Sequence, residues 1–324
     1  MTTIHSISTT DAERWIHPSV LLVATDLTDL DRLMPYAFQQ AAKCGARLIL
    51  LHVLASGTGL AVDETGLPHY DPSRALEDAT QTLEPWCEAA RKQGLSCDAL
   101  LREGYAASQI VATARSFQAD RVLLGTRGRS KLSHLLLGSV TDQVLRSVHL
   151  PVMTVGPAAQ LNADSVEEER IVLHPTSLRE TSRPSAALAC QLAASQGLKL
   201  VLLHVLPPVE VMRRKGLPTG LDATAWQELR RLAEETGGSC CSTVEPRVIH
   251  GNPIIEILAA SDELHASLIV LGAARHSGFE RLTRDRIVCR VLAHAHCPVL
   301  TLLGSRTEPI AVPTNEMAVP GGSQ

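Results

Sequence analysis

Between Gly125 and Ser139 the chain reads GTRGRSKLSHLLLGS. Two residues separate Gly125 from Gly128, and nine separate Gly128 from Gly138. The aliphatic run Arg121–Leu124 precedes this segment, and a helix-patterned stretch from about Ser139 to Val148 follows it. Glycine at the end of a strand lets the chain turn sharply and brings bare backbone close to a ligand. Gly138 and Ser139 then open a helix whose first N–H groups, with the helix dipole, favour phosphate oxygens. The Ser139 hydroxyl can cap that helix or donate to phosphate. Arg127, Arg129 and Lys131 add positive charge along the loop. The chemistry this pattern suits is the cradling of a phosphate. The plainer alternative is a glycine-rich connection that ends in an N-capped helix.

Asp26 is the second candidate. It follows VLLVAT, at the carboxyl end of a first strand. In open α/β sheets, ligands bind outside the carboxyl ends of the strands, where strand order reverses. If strands one and four flank that point, Asp26 and Gly125 face one crevice. A carboxylate there suits a ribose hydroxyl or an adenine amino group. The alternative is a loop aspartate that starts the next helix.

The elements needed to hold these residues can be read along the first half. Val20–Ala24 is a first strand, and Leu30–Lys43 has helical apolar spacing and stops at Gly45. Leu48–Val53 is a second strand, followed by a loop with Gly57, Gly59, Gly66 and Pro68. Ser73–Lys92 reads as an amphipathic helix, with Pro85 a point of kinking. Cys97–Leu101 is a third strand, Ala106–Phe117 a helix, Arg121–Leu124 a fourth strand and Val152–Val155 a fifth. Strands alternating with helices predict βαβ units and a parallel sheet.

The unit occurs twice. Arg47–Leu54 reads RLILLHVL and Lys199–Leu206 reads KLVLLHVL. Ala119–Gly125 (ADRVLLG) matches Ala266–Gly272 (ASLIVLG), and His149–Val155 (HLPVMTV) matches His296–Leu302 (HCPVLTL). The expected fold is α/β: two repeated doubly wound, Rossmann-like domains, each a five-stranded parallel sheet flanked by about four helices. Residues 1–16 are an N-terminal extension, 17–156 the first domain, 157–169 a polar linker, 170–304 the second domain and 305–324 a disordered tail.

Composition agrees with this plan. The 324 residues are 45% hydrophobic but only 3% aromatic, so the cores must be aliphatic, as suits parallel strands buried on both faces. A net charge of −4 and the scarcity of aromatics argue against nucleic acid as a partner. The N-terminus lacks the basic start and apolar core of a secretory signal, and no apolar run approaches the length of a membrane span. A cytoplasmic protein is expected. The eight cysteines contain no C-x-x-C pair and read as buried free thiols.

VLLVATDLT near the start, LLHVL in the second strand, G-x2-G-x9-G-S after the fourth and PVMTV at the fifth resemble the universal stress protein family. The likeness covers about 18–156 and again about 170–303. It implies ATP as ligand, alone or with Mg2+, and a role in stress response and signalling through a protein partner. Ala24, Asp26 and Val53 resemble the positions around adenine and ribose. Gly125, Gly128, Gly138, Ser139 and Val140 resemble the ribose- and phosphate-binding set, with Leu124 packed beside the nucleoside. The family's pairing through last strands implies an internal pseudo-dimer that joins Val152–Val155 to Val299–Leu302, with a homodimer of whole chains as a further option.

The second copy departs from the pattern. Gly272 matches Gly125, but Arg275 stands for Gly128, Asp285 and Arg286 for Gly138 and Ser139, and Ser177 for Asp26. It is not expected to bind ATP in the same way. His294, His296 and Cys297 have metal-like spacing but fall where a strand begins, and His52 and His204 read as strand-end packing. There is no P-loop and no visible nucleophile–base pair, so binding is favoured over turnover. Two alternatives stand beside nucleotide-dependent signalling: slow ATP hydrolysis or self-phosphorylation at the same site, and a scaffold that uses no nucleotide.

Overall fold

The computed structural model describes residues 9–55, 60–62, 68–70, 72–126, 137–160, 170–215, 220–237, 243–273 and 281–303. A short helix, α1 (Thr9–Ile16), leads into β1 (Val20–Thr25), α2 (Leu30–Cys44) and β2 (Arg47–Leu54). A small hairpin of β3 (Leu60–Val62) and β4 (Pro68–Tyr70) follows. Then come α3 (Pro72–Lys92), β5 (Cys97–Glu103), α4 (Ala106–Ser116), β6 (Arg121–Gly125), α5 (Ser139–Ser147) and β7 (Val152–Val155). The second repeat begins with β8 (Ile171–Pro175), a 3-10 turn at Glu180–Ser182, α6 (Arg183–Ser195) and β9 (Lys199–Leu206). It continues through α7 (Val209–Arg214), α8 (Leu221–Gly237), β10 (Val244–His250), α9 (Pro253–Glu263), β11 (Leu268–Ala273), α10 (Arg281–His294) and β12 (Val299–Leu303).

Helix α2 stops where expected. Gly45 adopts φ 66 and donates its N–H to the Ala41 carbonyl, a left-handed cap that glycine adopts without a Cβ penalty. Helix α3 continues through Pro85.

Within each repeat all five strands of the main sheet are parallel, in the orders β5-β2-β1-β6-β7 and β10-β9-β8-β11-β12. The two halves fuse into one ten-stranded sheet because β7 pairs antiparallel with β12. Val152, Met153 and Thr154 lie opposite Thr301, Leu300 and Val299. This edge-to-edge junction is the one that the family resemblance implied, and it covers two strand edges that would otherwise be open templates.

Alternate residues feed opposite faces of the sheet. Leu21 and Val23 point into one apolar layer, with Leu33 and Leu83 of the first repeat and Leu192 and Leu229 of the second. Leu22 and Ala24 point into the other, with Ile110, Val144, Ile257 and Val291. Each layer therefore runs across both repeats. Met153 and Leu300 are buried at the junction, about 2 kcal/mol each, and add to the roughly 1 kcal/mol from each backbone hydrogen bond there.

Helix α1 was not foreseen. It packs on α6 of the second repeat, and Trp15 and Ile16 rest on the first apolar layer. Arg14 reaches the buried carboxylate of Asp120 at 2.6 Å. The start of the linker is docked as well, since the Gln160 N–H donates to the His296 carbonyl at 2.9 Å. Residues 161–169, residue 304 and the expected tail 305–324 lie outside the described residues.

Candidate functional site

The strand order reverses beside β1: the chain goes out through β2 and β5, then crosses back to β6 and β7. The switch point of the first repeat therefore lies between β1 and β6, where ligands of open α/β sheets bind. Ala24 and Leu124 are register partners there, both buried, and Gly125 is the last residue of β6. Val53 lies on β2, half-buried and packed on the second apolar layer. Asp26 leaves the sheet immediately after β1, beside the entrance to the glycine loop.

The turn that carries Asp26 is tied together by its own side chains. The Thr25 hydroxyl accepts from the Leu27 N–H at 2.9 Å and donates to Asp29 Oδ1 at 2.6 Å. Asp26 Oδ1 accepts from the Thr28 N–H at 2.9 Å and the Thr28 hydroxyl at 2.6 Å. Leu27 takes φ 74, which directs the chain sharply away from the sheet. Burial raises the Asp29 carboxyl above its ordinary value; the Thr25 hydroxyl opposes the rise and the Asp26 charge adds to it. His52 fixes the turn from β2, its Nδ1–H donating to the Thr25 carbonyl at 2.8 Å.

The far end of the glycine loop is equally anchored. The Gly138 N–H donates to the Thr126 carbonyl at 2.8 Å, and the buried Thr141 hydroxyl donates to the Gly125 carbonyl at 2.8 Å. These two bonds bring the start of α5 against the end of β6. Gly138 is the N-cap residue, in extended backbone, and no side chain caps the helix. Ser139 is thus the first helical residue rather than the cap, contrary to one expectation above. Ser139 and Val140 are exposed. Like the first N–H groups of any helix, those of Ser139, Val140 and Thr141 have no partner within the helix. Gly128, with Arg127, Arg129 and Lys131, lies outside the described residues, as do Ser130, Ser133 and His134.

The second repeat copies the scaffold but not the chemistry. Leu178 repeats the positive φ of Leu27 at 58, and its N–H donates to the Thr176 hydroxyl. The His204 Nδ1–H donates to the Thr176 carbonyl at 2.9 Å, as His52 does to Thr25. Ser177, in the place of Asp26, pairs its hydroxyl with that of Ser182 at 2.8 Å. A cavity of about 330 Å³ occupies the carboxyl ends of β8, β9 and β11, lined by Pro175, Ser177, His204, Gly272, Ile287 and Val288. Helix α10 begins at Arg281, so Asp285 and Arg286 lie within the helix instead of opening it. Arg275 lies outside the described residues.

The remaining suspects separate. His294 donates Nδ1–H to its own helix at the Arg290 carbonyl, His296 pairs with Asp262 at 2.7 Å, and Cys297 is buried beside Ser261, its thiol pushed up to about 11 by burial. Among the described residues no three His, Cys, Asp or Glu side chains converge as a metal site. Cys44, Cys87, Cys97, Cys190, Cys289 and Cys297 are free thiols, and Cys240 and Cys241 lie outside the described residues. No helix among the described residues is long and apolar enough to cross a membrane. Sequence reasoning missed the threonines that hold the crevice. The recurrence of Thr25 as Thr176, each just after its strand's aliphatic run, was the signal that marked one of them.

Fold and crevice together define a tandem Rossmann-like α/β protein. The chain belongs to the Universal stress protein family, whose sequence pattern matches residues 19–156 and again 169–302. It is 25% identical over 300 residues to a universal stress protein of Mycolicibacterium smegmatis, covering 87% of this chain and 96% of that relative. It is also 32% identical over 139 residues to a universal stress protein of Thermus aquaticus, covering 42% of this chain and 96% of that one. The crystal structure of a universal stress protein from Archaeoglobus fulgidus matches its fold with a TM-score of 0.66 at 21% identity, covering 88% of this chain and 98% of that one.

Proposed function

We propose that the first repeat, residues 17–156, binds ATP at its β1–β6 switch point. The chain then acts as a nucleotide-dependent module in stress response and signalling, and the second repeat, 170–304, is its non-equivalent pseudo-dimeric partner. The reading rests on one observation: the start of α5 is bonded to the end of β6 through Gly138–Thr126 and Thr141–Gly125, which sets first-turn N–H groups that have no partner within the helix beside the end of that strand. Such a helix start favours phosphate oxygens.

In this reading Asp26 takes the adenine and ribose side with Ala24 and Val53, and Leu124 packs beside the nucleoside. Gly125, Gly128, Gly138, Ser139 and Val140 hold the ribose and phosphates. Mg2+ arrives with the phosphates. Nucleotide stabilises the loop between Gly125 and Ser139, and a cytoplasmic protein partner reads that surface. The shift between loop states is limited by the difference in ATP affinity between them.

Calorimetry with ATP tests this. One nucleotide per chain is expected, with affinity reduced at least roughly tenfold in Asp26→Ala and in Gly138→Val, about 1.4 kcal/mol each. Absence of binding, or two equivalent sites, overturns the proposal. Turnover of Mg-ATP that both substitutions abolish replaces binding with hydrolysis as the function.

A further inference from the structure

A second cavity, of about 480 Å³, lies on the seam between the repeats, away from either switch point. It is bounded by the carboxyl half of α2, the start of β6, the linker ends at Gln160 and Arg170, and the entrances to β9, β11 and β12. Its volume is that of an ordinary small-molecule pocket.

Its polar lining is cationic. Lys43 of the first repeat and Arg170 at the start of the second repel one another, and Arg170 helps lower the Lys43 ammonium, after burial. Lys43 spans the seam to Gln196 Oε1 at 3.2 Å. Behind them stands Arg121, 1% exposed. Its Nη1 donates to Gln40 Oε1 at 2.6 Å and its Nη2 to the Trp15 carbonyl at 2.5 Å, both neutral acceptors, while Nε has no partner among the described residues. Its neighbour Asp120 is committed to the Ser19 and Val20 amides and to Arg14. Burial holds the guanidinium down to about 10, so it stays charged at neutral pH. The matching position in the second repeat is Leu268, which shows that the fold itself does not require a charge there.

Tyr36 supplies the second orphan. It is 6% exposed, lines the same cavity, and its hydroxyl has no hydrogen-bond partner among the described residues. An unpartnered buried hydroxyl and a buried guanidinium without an ion pair are both costly unless a ligand satisfies them. Asp262 is the carboxylate at this rim, and it is engaged by His296. His265 and the buried Cys297 thiol complete the titratable lining. Met153, Leu192 and Leu198 provide an apolar wall.

We propose that this seam cavity binds a small oxyanion-bearing molecule, gripped between Lys43 and Arg170 and received at its inner end by Arg121 and the Tyr36 hydroxyl. A ligand there bridges the two repeats, because its cationic grips come from both. Its apolar wall fits the carbon body of a phosphorylated or carboxylated metabolite.

Inorganic pyrophosphate and citrate serve as phosphate and carboxylate probes, titrated calorimetrically into full-length Gly138→Val chain so that the α5 start does not contribute. Saturable binding of one of them is expected, and the stronger probe assigns the oxyanion class. Adding Lys43→Gln and Arg170→Gln weakens it at least roughly tenfold. Tyr36→Phe, which preserves the ring and its packing, weakens it several-fold without lowering the melting temperature of the free chain. Saturation by neither probe, or equal affinity in the variant lacking both cations, overturns the site. ATP binding to the wild-type chain is a separate measurement and does not bear on this result.

Discussion

His174 offers a sharp test of how the second repeat is packed. It sits on β8 with no exposed surface, in the place that Val23 occupies in β1. Its Nδ1–H donates to the Val270 carbonyl at 2.8 Å, which fixes the neutral tautomer and leaves Nε2 buried without a partner. Burial drives its pKa from 6.5 down to about 4, against the smaller opposing pull of the Val270 carbonyl. In the unfolded chain the ring regains its ordinary value and takes up a proton below pH 6.5. Its contribution to stability is therefore fully present above pH 6.5, falls as the pH drops, and levels off below about pH 4. A displacement of this size is worth about 3 kcal/mol in total and about 2 kcal/mol at pH 5. Replacing His174 with Val removes that pH-dependent loss. Urea unfolding of both proteins at pH 7.5 and pH 5 measures it, because other titrating groups, His204 included, are common to the pair. The variant is expected to lose about 2 kcal/mol less than the wild type on acidification. Equal losses would show that His174 is solvated or partnered in the native state, and the argument would fail.

Two further outcomes follow from backbone geometry. Gln118 is exposed and takes φ 49 after α4, a left-handed conformation that costs a non-glycine residue about 1 kcal/mol; Gln118→Gly should raise the melting temperature, with ATP affinity unchanged. At Gly156, just past β7, an added Cβ would lie 3.1 Å from the Leu292 carbonyl and 3.5 Å from that of Ala295. Gly156→Val therefore pushes the repeats apart at their junction and should destabilise the chain by roughly 1–3 kcal/mol, seen as a lower urea midpoint.

The strands were legible because a parallel sheet covered on both faces needs unbroken aliphatic runs. RLILLHVL and KLVLLHVL could be little else, and Val152–Val155 was assigned to its final residue. Gly45 marked a helix end because only a left-handed residue closes α2 there. The positions of Ala24, Leu124 and Gly125 at the strand ends and of Gly138 and Ser139 at the start of α5 were legible because glycines and a serine between an aliphatic run and a helical pattern mark where a strand stops and a helix starts; Gly128 lies outside the described residues. What stayed hidden depends on contacts across the chain. Helix α1 is eight residues long and too short to persist alone; it is held by Arg14 on Asp120 and by Arg121 on Trp15. Nothing in the sequence marks Arg121, the first residue of its strand, as buried, since Arg ordinarily keeps its head in water. Its burial arises only because α1 and α2 close over it. The seam cavity draws on segments from both repeats, and no local pattern announces such a convergence.

The asymmetry of the tandem has a physical basis beyond the lost glycines. Repeat correspondence places Arg286 opposite Ser139, yet α10 starts at Arg281, five residues earlier. At 1.5 Å per residue the helix start is displaced by about 7.5 Å along its axis. The first-turn N–H groups that stand beside the end of β6 in the first repeat therefore have no equivalent at the matching position of the second. Ile287 and Val288, the counterparts of Val140 and Thr141, line the second cavity instead. Val288 has no hydroxyl to repeat the bond from Thr141 to the strand's last carbonyl. With Ser177 replacing the carboxylate of Asp26, the second crevice still holds a cavity of about 330 Å³ and the Thr176–His204 tie. The two groups that would orient a nucleotide from opposite ends are gone from it. Restoring a glycine at 285 alone would not recover phosphate binding, because the helix start, rather than a single side chain, is what has moved.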